Sequence, residues 1–268
     1  MGFCEVAYGG GQSKDQNFLK PPSMYDLTQL DLQDITDIGI RLRTFGKDAD
    51  SLETVAACCV QFFHRSLIDP ATGKSACALA RFFKTHPYGE LPEAIQASAD
   101  TLASATISDG VKCLTLLASA GDRPEWSDRR KSRGHQAIPL TSESAVRQIP
   151  MIAQLIKSFG LDISYVLTTD THLQIVLEQK TCNVFYIPTA EGSEFIPAQT
   201  EFVQPFGIKS VLGFGGMLPS GNLFAVILFS KVAIPHTTAQ LFKTLPLTIK
   251  MAMLPFDKGQ LFQPLLVN

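Results

Sequence analysis

The chain has 268 residues, 45% of them hydrophobic and 18% charged, with a formal net charge of −2. That balance can bury a large core in one domain or two, and it gives no overall basic footprint for nucleic acid or an anionic membrane. The longest apolar runs, such as residues 223–229, fall far short of the ~20 residues a bilayer crossing needs, and the first five residues lack the basic and apolar regions of a secretion signal. The expectation is a folded cytoplasmic protein with no membrane or nucleic-acid partner.

Residues 1–23 carry a Gly9-Gly10-Gly11 run and Pro21-Pro22 and read as a flexible arm. Leu32, Ile35, Ile38, Leu42 and Phe45 recur at three- and four-residue spacing, which predicts a leading helix within residues 24–50, stopped by Gly46. Ser51 is placed to cap a second helix with the stripe Leu52, Val55, Cys59, Phe62 and Phe63, ending before Asp69-Pro70. Residues 75–84 and 112–119 read as strands, with a helix expected at 93–104 between them. A third helical region spans 142–159 and is expected to break at Pro150 and end at Gly160. Short β-type runs at 163–168 and 173–177 precede a strand at 183–187. Finally, Pro219-Ser220-Gly221-Asn222 joins two apolar runs within 208–230 into a β-hairpin, which must lie centrally in a sheet because nearly every position is apolar. A helix opens at Pro235.

Chemistry-bearing motifs are sparse. The six cysteines show no C-x-x-C pair and read as small apolar fillers, and the five histidines show no metal-ligand spacing. Gly-x-Ser-x-Gly is absent, so the sequence carries no positive sign of an enzyme. Gly213-Phe214-Gly215-Gly216 lacks the Lys-Ser/Thr of a phosphate loop and reads as a bulge or a close backbone approach. The densest stretch is 123–135, with five Lys or Arg side chains, His135 and the chain's one tryptophan, Trp126. Such a loop can bind an anion through bidentate Arg contacts, or can pair its cations with Glu125 and Asp128 as a solvated loop.

The order of leading helices, antiparallel strands, an inserted covering segment and a closing hairpin with its helix resembles a GAF domain, the small-ligand module of bacterial signalling proteins. Residues 113–121 resemble its second strand, Ala137-Ile138-Pro139-Leu140 the lead-in to the next helix, and residues 184–190 a later strand and loop. The resemblance implies an α+β sensory domain over 51–256, with 257–268 as a tail, and the longer connections 85–110 and 160–181 as elaborations. It also implies a small ligand held near Trp126, Arg130, Arg133, His135 and Phe214, with Phe83, Leu116 and Ile227 as further pocket residues. The expected partners are a second copy of the chain, through the two leading helices, and a downstream signalling domain or histidine kinase of a two-component system. The alternative is a ligand-free dimerisation scaffold. Some GAF sensors hold haem through one His, for which His135 and His86 are the candidates, an ordinary surface or hydrogen-bonded role being the alternative for each. Bilin attachment uses a Cys followed by His, and Cys182 is followed by Asn183.

Overall fold

The structure is a computed structural model, and it describes residues 24–103, 105–132, 135–168, 183–259 and 261–262. The expected strand 173–177 and residues Arg133, His172 and Cys182 lie outside the described residues.

After the short strand β1 (Tyr25–Asp26), helix α1 (Leu32–Thr44) is capped by Asp31, whose side chain accepts from the Asp34 backbone while the Asp34 carboxylate reaches back to the Asp31 N–H. Helix α2 (Leu52–Ser66) starts under the Ser51 hydroxyl and leads into β2 (Leu67–Ile68), which pairs with β1 in parallel. Both helices match the sequence periodicity.

The main sheet has six antiparallel strands in the described residues. They are β3 (Cys77–Pro87), β4 (Lys112–Gly121), β5 (Ala137–Pro139), β6 (Val184–Ile187), β7 (Ser210–Met217) and β8 (Leu223–Ser230), in the spatial order β5-β4-β3-β8-β7-β6. The closing hairpin therefore sits inside the sheet, with β8 between β7 and β3, as its two-sided apolar pattern requires. Gly221, at φ 74°, makes the turn that joins its strands. Of residues 137–140, which lead towards the next helix, 137–139 form edge strand β5, where Pro139 can be tolerated because an edge position does not need its N–H.

Between β5 and β6 come α4 (Glu143–Arg147), α5 (Pro150–Ser158) and α6 (Ile163–Leu167). The predicted break falls at Pro150, which occupies the first turn of α5, and Gly160 closes that helix at φ 76°. The run 163–168, expected as a strand, is helical. Asp162 caps it by accepting from the Ser164 backbone at 2.9 Å, a local start signal that decides a short run ambiguous by periodicity. The helix within the long β3–β4 connection is α3 (Glu93–Asp100), and the chain closes with α7 (His236–Leu241) and α8 (Leu245–Met253).

Side chains alternate along β8, so Phe224, Val226 and Leu228 face one core while Ala225, Ile227 and Phe229 face another. The first core is filled by α1, α2 and α8; the second is covered by α4–α6 and by residues 190–208. The result is a helix–sheet–helix sandwich whose two faces are chemically separate.

Candidate functional site

The second face is not packed solid. A cavity of about 1100 Å³ lies between the sheet and its cover. Its floor is formed by β3, β4 and β8, through Leu79, Phe83, Leu114, Ile227 and Phe229 with Arg81 among them. The α4–α5 junction contributes Ile149, Met151 and Ile152, and the segment before β7 contributes Phe195, Ile196 and Phe202. The exposed edge is the basic loop, which brings Arg123, Glu125, Lys131 and His135 to the opening.

Trp126 forms part of one wall. Its ring meets Phe206 edge-on at 4.4 Å and Phe202 at 5.6 Å, and Phe202 in turn meets Phe229 of the floor at 5.0 Å. The Arg123 guanidinium lies 5.2 Å from the Phe206 centroid and pairs with Glu125 at 3.1 Å. The cover segment is tied together by one side chain. Gln199 opens a single π-turn, Gln199–Val203; its amide donates to the carbonyls of Ala190 and Ile196, and its side-chain oxygen accepts from the Gly192 N–H at 2.9 Å.

Arg81 is the unexpected member. It projects between Leu79 and Phe83 onto the cavity floor, donates from Nη2 to the Ser132 hydroxyl at 3.3 Å, and buries an Nε with no hydrogen-bond partner among the described residues. Burial lowers its pKa to about 10. Ser119 pairs with Arg81 in register on β4, and its buried hydroxyl also finds no partner among the described residues.

This geometry sorts the residues singled out in the sequence. Trp126, His135, Phe83 and Ile227 line the cavity, and Leu116 belongs to the same core. Arg130 is mostly exposed and engaged with Asp128, to which it donates from Nε at 2.9 Å and Nη2 at 3.1 Å. Arg129, from the same loop, is drawn away to Glu53 of α2 and stacks over Phe262 at 4.2 Å. Phe214 must be corrected: it points to the opposite core, against Phe63 at 5.4 Å and Phe242 at 5.3 Å, so it is structural. The haem candidate His86 is likewise turned away from the cavity by strand alternation and lies 2.9 Å from the Lys84 ammonium. The nearby glycines prove to be close approaches: a Cβ at Gly215 would stand 2.1 Å from the Phe224 carbonyl oxygen. Burial pushes the Cys77 thiol up to about 12 and that of Cys113 to about 11, which suits fillers rather than nucleophiles.

Leading helices, an antiparallel sheet, and a covering segment inserted before its last strands with a cavity beneath form the arrangement that the GAF resemblance implies. The fold is GAF-like. No family model matches the chain, and no curated protein matches it. Among solved structures, the GAF-like domain is similar to the chromophore-binding domain of a Stigmatella aurantiaca bacteriophytochrome in the Pr state, at 9% identity and a TM-score of 0.37, over 82% of this chain and 60% of that one. It is also similar to the Stigmatella aurantiaca phytochrome photosensory core module, at 11% identity and a TM-score of 0.34, over 83% of this chain and 36% of that one. This chain therefore spans less than two thirds of either. A likeness at this level carries no ligand or site across, and the sheet order and cavity stand on their own.

In the sequence Arg81 is one charged residue inside the apolar run 75–84, which by itself marks no site. The available signal was its place in the Leu79-Arg81-Phe83 alternation, which puts a cation on the same face as two apolar residues that had to be covered.

Proposed function

We propose that this GAF-like domain is a sensory module that binds a small molecule in the cavity under residues 148–152 and 195–202, and acts by binding rather than by catalysis. The observation that carries this reading is the cavity itself. About 1100 Å³, largely apolar with a few convergent polar groups, is slightly above the roughly 300–1,000 Å³ of ordinary ligand pockets. A ligand-free scaffold would be expected to fill the same space with its own aromatic side chains.

The logic of signalling is a population shift. A ligand that binds one arrangement of the cover better than another biases it, and the sheet separates that face from the helices α1, α2 and α8. Those helices present exposed apolar residues: Leu32 and Ile40 on α1, Leu247 and Met251 on α8 and Leu254 just beyond it. Such a surface suits a homodimer, through which the change would reach a downstream signalling domain or kinase in the cytoplasm. Among the described residues no helix is long and apolar enough to cross a membrane.

Native mass spectrometry and an absorption spectrum of the protein as purified test the reading. The expected result is a discrete added mass that leaves on denaturation; a Soret band would identify that molecule as haem. A chain with no added mass, and with no thermal shift across a broad metabolite library, would overturn the sensor reading in favour of the scaffold.

A further inference from the structure

A guanidinium is costly to bury, and it is retained in proteins where an anion or a full set of acceptors offsets the lost hydration. Arg81 has neither among the described residues: it donates from Nη2 to the Ser132 hydroxyl, and its Nε is sealed without a partner there. Among the described residues the other ionisable groups around the same cavity are Arg123, Lys131 and His135, with Glu125 as the one carboxylate, and that carboxylate is held by Arg123. Beside Arg81 in register, the Ser119 hydroxyl is a second buried group without a partner. Among the described residues the rest of the lining is mostly hydrocarbon and aromatic ring, with Gln148 and Ser132 as further polar side chains. Positive charge at one point of a mostly apolar chamber selects an amphipathic anion.

We infer that the ligand is a carboxylic acid with an apolar body, its carboxylate seated on the Arg81 guanidinium beside Ser119 and its body lying against Trp126, Phe202 and Phe229. The inference rests on the sensor reading and narrows it to one ligand class. Planarity favours carboxylate here, because a guanidinium can offer two parallel N–H groups to the two oxygens of one carboxylate. The cations at the opening, Lys131 and Arg123, draw the anion inward and make association dependent on salt.

Calorimetry with octanoate and 1-naphthoate, each beside its neutral amide, tests this directly, because acid and amide share one body and differ in charge. Both acids are expected to bind at one site per chain, with the amides at least about 10-fold weaker, the lower end for a hydrogen bond to a charged group. Arg81→Met, which keeps the stem and removes the charge, is expected to fold at least as stably as the native chain and to erase the preference for acid while binding the amides unchanged. Arg81→Lys keeps a cation on the strand and covers the case in which Met is not tolerated; it is expected to weaken acid binding without touching amide binding. Amides bound as tightly as acids, or an acid preference that survives both variants, would overturn the carboxylate assignment and leave the cavity as a ligand site. No binding of any of the four probes would overturn it too, and together with the absence of a retained molecule would count against the sensor reading.

Discussion

Gly121 and Trp126 are in contact across the end of β4: a Cβ on Gly121 would stand 2.9 Å from the Trp126 Cβ and 2.9 Å from the Ala78 carbonyl oxygen. The missing side chain is what lets the cavity wall fold back onto the strand. Because the Ala78 oxygen belongs to a neighbouring strand, the clash cannot be relieved by a side-chain rotation alone. Gly121→Ala should therefore cost about 1–3 kcal/mol of stability, the usual range for overpacking, and shift the emission of the only tryptophan. Urea denaturation and a fluorescence spectrum check both; an unshifted spectrum with unchanged stability would place Trp126 elsewhere.

Phe214 gives the converse test. Its ring is fully buried among Phe63 and Phe242 on the face away from the cavity, so Phe214→Ala should cost about 3–5 kcal/mol through the void it leaves. The milder Phe214→Leu should lower the melting temperature and leave the affinity for an apolar acid within about twofold, well under the 1.4 kcal/mol of a tenfold change. Loss of binding out of proportion to loss of stability would return Phe214 to the site.

Gln199 holds the cover segment through backbone groups of Ala190, Gly192 and Ile196. Replacing it with Ala removes these bonds without touching the sheet. Amide hydrogen exchange should accelerate across 190–203 while β3 and β8 keep their protection. Uniform acceleration through both would mean that the cover is not an independent unit.

Lys84 and Lys112 are both buried at one end of the sheet. Lys84 lies 3.7 Å from Asp257, and Lys112 donates to the Gly221 carbonyl at 2.7 Å. Burial lowers both from the ordinary 10.5 to about 8, against the pull of Asp257 on Lys84. The folded state therefore releases these protons at lower pH than the unfolded state, and each lysine contributes stability that rises from about pH 8 to 10.5. Above the ordinary thiol value of 9.0 the raised Cys77 and Cys113 act in the opposite sense, so a single curve mixes the two. The difference between the native chain and Lys84→Met removes the cysteine contribution and reads Lys84 together with its repulsion of Lys112: the native chain should gain on the variant by about 1.4 kcal/mol per pH unit at most between about pH 8 and 10.5. A pH-independent difference would mean that Lys84 titrates normally.

The helices and the closing hairpin were legible because their signals are local: Asp31 and Ser51 as caps, Pro150 and Gly160 as breaks, and a turn at Gly221. The faces of the hairpin were not. Along β7 and β8 both sides are buried, so alternation marks two sets of residues without saying which set meets the cavity, and Phe214 fell on the wrong one. The basic loop stood out by composition, yet composition could not tell that Arg129 and Arg130 are engaged by Glu53 and Asp128 while Lys131 and His135 reach the opening. For Arg81 the local alternation with Leu79 and Phe83 marks a shared face, and only the pairing of β3 with β4 and β8 shows that this face floors the cavity.

The central claim is that a small molecule occupies the space beneath Trp126, and the most direct measurement uses that residue as its own reporter. Titration with 1-anilinonaphthalene-8-sulfonate, an anionic apolar dye, should saturate at one site per chain, quench Trp126 emission in step with dye fluorescence, and be reversed by octanoate. Dye binding that never saturates, with Trp126 emission unchanged throughout, would contradict the account.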